Sequence, residues 1–277
     1  MEQREAKTHI GVVIAARNEE LYIEKTLQHL LNQTLKPSEI VVVDDGSTDK
    51  TAEIAKKYNT LVISLHDRGY GVVGSPILLK VRNVGFEVLN SKGELDYVLV
   101  LDADTILPKT YLETIISRME RNPSLVIASG RFSSETSYPD APIESGRIYR
   151  FKFMRDIGFF PVNYAGEDYP LFKALKMGYK IRCFEDVVTW QQRALKLSGK
   201  KLYYLGKGMR ALGYNSLYFL GKFVFMFLKS PKGAVGMLSG YISSDIQKYQ
   251  DLKDFTKKWQ RQELVERLRK LLTLKKG

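Results

Sequence analysis

Two carboxylates one residue apart, Asp102 and Asp104 in the stretch Tyr97 to Pro108 (YVLVLDADTILP), are the groups in this chain best placed to do chemistry. Val98 to Leu101, just before them, has the apolar, β-branched content of a strand buried on both faces. The pair therefore falls at the carboxyl end of a strand, where open α/β sheets place their ligands. Side chains alternate along an extended chain, so Asp102 and Asp104 address one site while Ala103 points elsewhere. Two hard oxygen ligands held together suit Mg²⁺ or Mn²⁺, especially when substrate phosphates fill the other positions. The plainer alternative is a solvated turn after a buried strand.

The elements around the pair follow from periodicity. His9 to Ala15 predicts a buried first strand, with Asn18 as N-cap of a helix carrying Leu21, Leu27, Leu30 and Leu31 on one face. Ile40 to Val43 predicts a second buried strand, followed at once by Asp44-Asp45-Gly46-Ser47-Thr48-Asp49. That loop supplies acceptors, a turn glycine and capping residues for a helix ending near Tyr58. Leu61 to Leu65 predicts a third strand, and the glycine-rich loop His66 to Gly74 leads to Ser75-Pro76 as N-cap and first residue of a helix. Three β–α units thus precede the Asp102 strand, which implies a Rossmann-like, mostly parallel α/β sheet with helices on both faces. Asp44/Asp45 and Asp102/Asp104 then share one rim. No G-x-G-x-x-G follows the first strand, which argues against a dinucleotide-binding domain.

Composition narrows the class. The chain has 277 residues, 44% hydrophobic and 27% charged, enough for one large domain or a domain with an appendage. A single cysteine, Cys183, excludes an internal disulfide framework and reads as a small core residue. The first residues lack the apolar core of a signal peptide, and no apolar run reaches the ~18–20 residues of a membrane span. These features predict a cytoplasmic protein. The net charge of +12 is uneven, since residues 191–277 hold 19 Lys and Arg against 5 Asp and Glu. The expected division is therefore a nucleotide-binding catalytic domain over 1–190 and a basic, apolar, mainly helical region over 191–277.

Two enzyme chemistries use an Asp-x-Asp at a strand end. In a nucleotide-sugar glycosyltransferase the carboxylates hold a metal and a ribose. In a phosphatase of the haloacid dehalogenase type Asp102 would be the nucleophile, Asp104 the acid/base and Thr105 a phosphate ligand, although in that family the strand normally comes first. A third alternative is a non-catalytic, membrane-associated scaffold keeping the same fold. Four motifs in register decide between them. IAARNEE (Ile14 to Glu20) with VVVDDGSTDKTA (Val41 to Ala52), KVRNVG (Lys80 to Gly85), LDAD (Leu101 to Asp104) and GEDYPLFKALKMGYKI (Gly166 to Ile181) occur in the order used by family 2 glycosyltransferases. Over about residues 9–185 the chain resembles that family.

The resemblance implies a GT-A fold, a nucleotide-diphosphate sugar donor, UDP- or GDP-linked, and inverting transfer to an acceptor hydroxyl. It implies that Asp45 accepts a hydrogen bond from the N–H edge of the base, as a carboxylate can accept but not donate. It places Ala16 and Glu19 along the base and ribose pocket, Asp102 on ribose or metal, and Asp104 on the metal. Arg82 and Asn83 become contacts to the nucleotide or diphosphate, with an exposed helix charge as the alternative for Arg82. Asp168, ahead of the amphipathic stretch Tyr169 to Met177, becomes the general base; a simple helix cap is its alternative. Where some relatives carry a metal-binding histidine, this chain has VVTWQQR (Val187 to Arg193), and its histidines are His9, His29 and His66.

The C-terminal third mixes aromatic, glycine and cationic residues, with Leu217 to Leu228 almost wholly apolar and Asp251 to Leu274 read as a basic amphipathic helix through Phe255, Trp259, Leu264, Leu268 and Leu271. It suits an anionic membrane surface that presents a lipid-linked acceptor. Packing on the catalytic domain or across a homodimer is the alternative. Its apolar content exceeds what phosphate contact needs, and a nucleic-acid partner is not expected.

Overall fold

The computed structural model describes residues 8–71, 75–134, 138–193 and 199–274, with side chains as far as residue 265. Ten helices and eight strands follow one another among these residues. They are β1 (Ile10–Ala16), α1 (Ile23–Leu31), β2 (Glu39–Asp44), α2 (Thr51–Lys56), β3 (Leu61–Ser64), α3 (Pro76–Ser91), β4 (Tyr97–Asp102), β5 (Thr105–Ile106), α4 (Tyr111–Glu120), β6 (Leu125–Phe132), β7 (Arg147–Arg150), α5 (Phe151–Asp156), α6 (Tyr169–Lys176), β8 (Lys180–Gln191), α7 (Gly199–Ala211), α8 (Ser216–Lys229), α9 (Pro231–Ile242) and α10 (Lys253–Leu274). They form two compact units. The first comprises Met1–Val73, Ile77–Phe160 and Met177–Ala194; the second comprises Gly74–Pro76, Pro161–Lys176 and Leu195–Gly277.

The first unit is a sheet in the order β3-β2-β1-β4-β7-β6-β8-β5. Strands β3, β2, β1 and β4 run parallel, as do β6 and β8, while β7 is antiparallel to both neighbours. The mostly parallel sheet expected from the β–α alternation is therefore present. Its two faces explain why the strands read as continuous apolar runs. Val12, Ile14, Val42, Leu99 and Leu101 pack with Leu27 and Leu30 of α1 and Ile115 and Met119 of α4. On the opposite face α3 comes close through Gly85, where an added Cβ would lie 2.6 Å from Val13 Cγ1. Cys183 is buried, as its residue type suggested.

Local expectations fail at three places for physical reasons. Asn18 is not a helix cap: α1 starts at Ile23, and Asn18 adopts a left-handed φ of +54° inside the β1–α1 loop. Leu21, expected on the buried face of that helix, is 79% exposed ahead of it. In α10 the fully buried positions are the polar Thr256 and Gln260, with Phe255 and Trp259 only half-buried. The simple amphipathic pattern therefore does not hold there; the Leu268 and Leu271 side chains lie outside the described ones.

The second unit is helical. Phe172, Ala211, Leu212, Tyr249 and Leu252 form one core, and Leu202, Met209, Phe219 and Met237 another. Helices α7 and α9 approach to backbone contact. A Cβ on Gly206 would stand 1.9 Å from Met237 O, and one on Gly240 would stand 2.0 Å from Tyr203 O. Only glycine fits such a crossing.

Candidate active site

The rim at the carboxyl ends of β2, β1 and β4 collects the acidic residues. Register pairs Ala16 with Asp44 and Ala15 with Asp102, so the two acidic loops leave the sheet on adjacent strands. The loops after β1 and β2 clasp each other through polar groups. Asn18 Oδ1 accepts from the Thr48 N–H at 2.8 Å, Asn18 N–H donates to Ser47 Oγ at 3.0 Å, and Glu19 N–H donates to Thr51 Oγ1 at 2.7 Å. This exchange explains the left-handed Asn18, whose short amide side chain tolerates that conformation. Gly46, at φ +68°, lies so close to Asp67 that a Cβ would meet its Cα at 2.5 Å.

Ala16 is buried at the strand end and its carbonyl accepts from the Asp45 N–H at 2.8 Å. Asp45 is 3% exposed. One of its oxygens pairs with the Arg68 guanidinium, and the other, Oδ2, is buried and accepts no hydrogen bond. Arg17 braces the same loop, donating to the carbonyls of Asp45 and Gly46 and pairing with Asp67 at 2.6 Å. Arg17 and Arg68 were not anticipated from the sequence, because an arginine in a polar loop carries no periodic signal.

Asp102 accepts from Arg82 Nη2 at 3.0 Å, and its backbone N–H donates to Ser145 Oγ at 2.9 Å. Arg82 is only 2% exposed and its other arm pairs with Glu144, so it is a buried bridge and not an exposed helix charge. Although its side chain keeps 39% exposure, the desolvation of the Asp102 carboxyl at the buried Arg82 pushes it up to about 6; Arg82 opposes this, while Glu144 and Asp104 add to it. Asn83 turns elsewhere. Its amide donates to Phe160 O at 2.8 Å and accepts from Phe160 N–H at 3.1 Å, clamping the backbone after α5.

Asp104 is 5% exposed and pairs with Arg193 Nε at 2.6 Å. Arg193 also reaches Glu19 Oε1 at 2.7 Å, whereas Glu19 Oε2 is buried without a hydrogen bond. Burial raises the Glu19 carboxyl above its usual range, opposed by Arg193. Two pairings carry Arg193 to this place. Thr105 and Ile106 of β5 pair antiparallel with Gln191 and Trp190 of β8, and Gln192 N–H donates to Asp104 O at 2.9 Å. The VVTWQQR stretch therefore supplies a cation where some relatives were expected to supply histidine. Its position just past the last core strand was the available signal.

Among the described residues no three His, Cys, Asp or Glu side chains gather into a cage able to hold a metal. Asp102 and Asp104 do fit a site completed by a ligand's phosphates, since both are hard oxygen donors. Asp168 lies in the second unit, directly before α6, with its carbonyl accepting from the Leu171 and Phe172 N–H groups. Ala165, three residues earlier, holds φ +54° and packs against Gly208, where an added Cβ would stand 2.8 Å from the Ala165 Cβ.

The sheet order, with acidic residues on the rim at the carboxyl ends of β2, β1 and β4, is that of a GT-A class of fold. Residues 11–169 match the profile described as glycosyl transferase family 2, and the chain belongs to that family. Among its relatives, glycosyltransferase GlyG of Streptococcus pneumoniae is 29% identical over 46% of this chain and 40% of its own length. Glycosyltransferase GlyA of the same organism is 26% identical over 73% of this chain and 30% of its own. The chain thus spans less than half the length of these relatives. In fold it resembles the mannosyltransferase PcManGT of Pyrobaculum calidifontis, solved with GDP-Man and Mn²⁺, at a TM-score of 0.58 and 16% identity, covering 86% of this chain and 70% of that one. It also resembles S. aureus TarS 1–349 solved with UDP, at a TM-score of 0.55 and 22% identity, over 73% and 64% of the two chains.

Proposed function

We propose that this chain transfers a sugar, with inversion, from a nucleotide-diphosphate sugar to an acceptor hydroxyl. The observation that carries this is the pair of buried carboxylate oxygens without hydrogen bonds, Asp45 Oδ2 and Glu19 Oε2, on the rim that also bears Asp102 and Asp104. A buried acceptor without a donor is costly, by about 1–3 kcal/mol, and is accounted for when a ligand brings the N–H or O–H. Asp45 Oδ2 suits a base N–H, held in aim by Arg68 and Arg17. Glu19 Oε2 suits a ribose hydroxyl.

Asp102 and Asp104 are the residues that would hold Mg²⁺ or Mn²⁺, which when bound neutralises charge on the leaving diphosphate. Arg82 keeps Asp102 oriented through its buried bridge to Glu144. Asp168 acts as general base: it takes the proton of the acceptor hydroxyl as that oxygen bonds to the anomeric carbon. The bond from that carbon to the diphosphate oxygen breaks on the opposite face, and its electron pair leaves with the nucleotide. The acceptor fits a lipid-linked hydroxyl at the cytoplasmic membrane face, given the cationic C-terminal third.

Thermal shift with a panel of UDP- and GDP-sugars, with and without Mn²⁺, tests this. One nucleotide class should raise Tm in a Mn²⁺-dependent manner, since a ligand at 100 Kd adds about 2.7 kcal/mol. Asp45→Ala should abolish the shift. If no nucleotide sugar stabilises the protein, or if Asp45→Ala retains the full shift, the proposal fails.

A further inference from the structure

Among the described residues, the outward face of α8 has no partner within its own unit. The inner row of this helix, Phe219 with Phe223 and Met226, packs against Leu202, Met209, Met237 and Tyr241, and the Phe219 and Tyr241 rings stack at 3.8 Å. The other side carries Leu217, Leu220, Val224 and Leu228, at spacings of three and four residues, flanked by Phe225 and Phe227. These six side chains are between 47% and 80% exposed. At 100° per residue they cover an arc nearly half the helix wide that contains no charge. Lys222 and Lys229 stand along one edge of the arc, over the rings of Tyr218 and Phe225 respectively, and exposed Lys232 follows at the start of α9. From Leu217 to Leu228 the apolar strip is about 18 Å long. No described helix is long and apolar enough to cross a membrane, so the strip is suited to lying along a surface.

We infer that α8 docks this protein on an anionic lipid bilayer, lying in the plane of the interface with its apolar arc among the acyl chains and its lysines at the headgroups. Charge selects this occupant over a second copy of the chain. Between residues 195 and 244 there are eight Lys or Arg and no Asp or Glu. A self-association through α8 would bring like-charged rims together, whereas anionic headgroups neutralise them. The mixture of Leu, Val and Phe beside Tyr and Lys is that of an interfacial helix. The inference locates in α8 what composition had spread over the whole C-terminal third. It deepens the proposed function by naming where the acceptor's surface is met, yet lipid binding can be read without any sugar donor.

Flotation of the full chain with vesicles of phosphatidylcholine alone, or with 30% phosphatidylglycerol (about one anionic lipid in three), tests it. The wild type should float with the anionic vesicles and remain in solution with the neutral ones. Leu220→Asp with Val224→Asp should abolish flotation, and reversal of Lys229 and Lys232 to Glu should weaken it about tenfold or more. Both pairs are exposed, so folding is kept; circular dichroism and Tm should match the wild type. Val224→Trp should show a blue-shifted emission on anionic vesicles that brominated lipid quenches. Equal soluble fractions with and without anionic lipid would overturn the inference, as would full flotation of the double Asp variant. Light scattering covers the remaining outcome: a dimer that the Asp variant dissociates, with no flotation of the wild type, would make α8 an interface between copies. Each of these leaves the nucleotide-sugar thermal shift unaffected, so failure here is separable from failure of the transferase proposal.

Discussion

Arg193 Nε meets Asp104 Oδ2 at 2.6 Å, so that the second carboxylate of the Asp-x-Asp pair is closed by a guanidinium from the far side of the β5–β8 ladder. The same guanidinium holds Glu19 at 2.7 Å and lies over the Tyr22 ring at 5.3 Å. Any cation drawn to Asp104 competes with this contact. Arg193→Gln should therefore tighten Mn²⁺ binding to the donor-free protein by about five- to tenfold, as a competing charge is removed. Calorimetric titration of Mn²⁺ reads this directly. Unchanged or weaker affinity would mean that Arg193 supports the site without occupying it.

A second prediction concerns pH. Desolvation raises the Asp102 carboxyl to about 6, with Glu144 and Asp104 adding to the rise and Arg82 opposing it. Cation binding needs the carboxylate form, so Mn²⁺ affinity should climb as pH rises through about 6 and fall away below it. The effect on stability has the opposite sign. Between the usual carboxylate range and about pH 6 the folded state holds the extra proton, so this group's contribution declines as pH increases. A flat Mn²⁺ affinity from about pH 5 to 7.5 would contradict the assignment.

Removing the bridge itself gives a third. Arg82→Met leaves Asp102 and Glu144 facing each other without their shared cation. Complete burial would make that loss roughly 3–5 kcal/mol; here both carboxylates keep about 40% exposure, which lowers it to about 2 kcal/mol. Chemical denaturation measures the loss. The same variant should move the pH midpoint of Mn²⁺ binding upward.

Asp168→Asn separates chemistry from binding. If Asp168 takes the acceptor proton, the variant loses about 10²–10⁴ in kcat while its donor-induced thermal shift stays near wild type. Undiminished turnover would return Asp168 to the role of a helix cap.

The α7–α9 crossing offers a test of packing alone. Gly206→Ala places a methyl group against Met237 O, and Gly240→Ala places one against Tyr203 O. Backbone cannot yield as a flexible side chain does, so each should cost about 1–3 kcal/mol or more. The unfolding midpoint should fall by several degrees in each, with little effect at Gly221, whose neighbourhood is open.

Much of this protein was legible along the chain. Apolar runs ending in Asp44-Asp45 and Asp102-Ala103-Asp104 announce buried parallel strands with acidic residues at their carboxyl ends, because burial on both faces is a local consequence of residue order. The strand alternation expected to align Asp102 with Asp104 does not extend that far, since β4 ends at Asp102 and a turn carries Ala103 and Asp104. The four motifs in register sufficed to indicate the family. The partners of those carboxylates belong to the tertiary structure. Arg82 could have been a surface charge until α3 packed close through Gly85. Asn83, expected at the donor, gives both ends of its amide to the Phe160 backbone. Arg193 reaches Asp104 only because β5 pairs with β8, and strand pairing between distant segments leaves no periodic trace in either. The same holds for α8, whose composition announced apolarity but whose exposed arc appeared only once α7 and α9 had covered the other side.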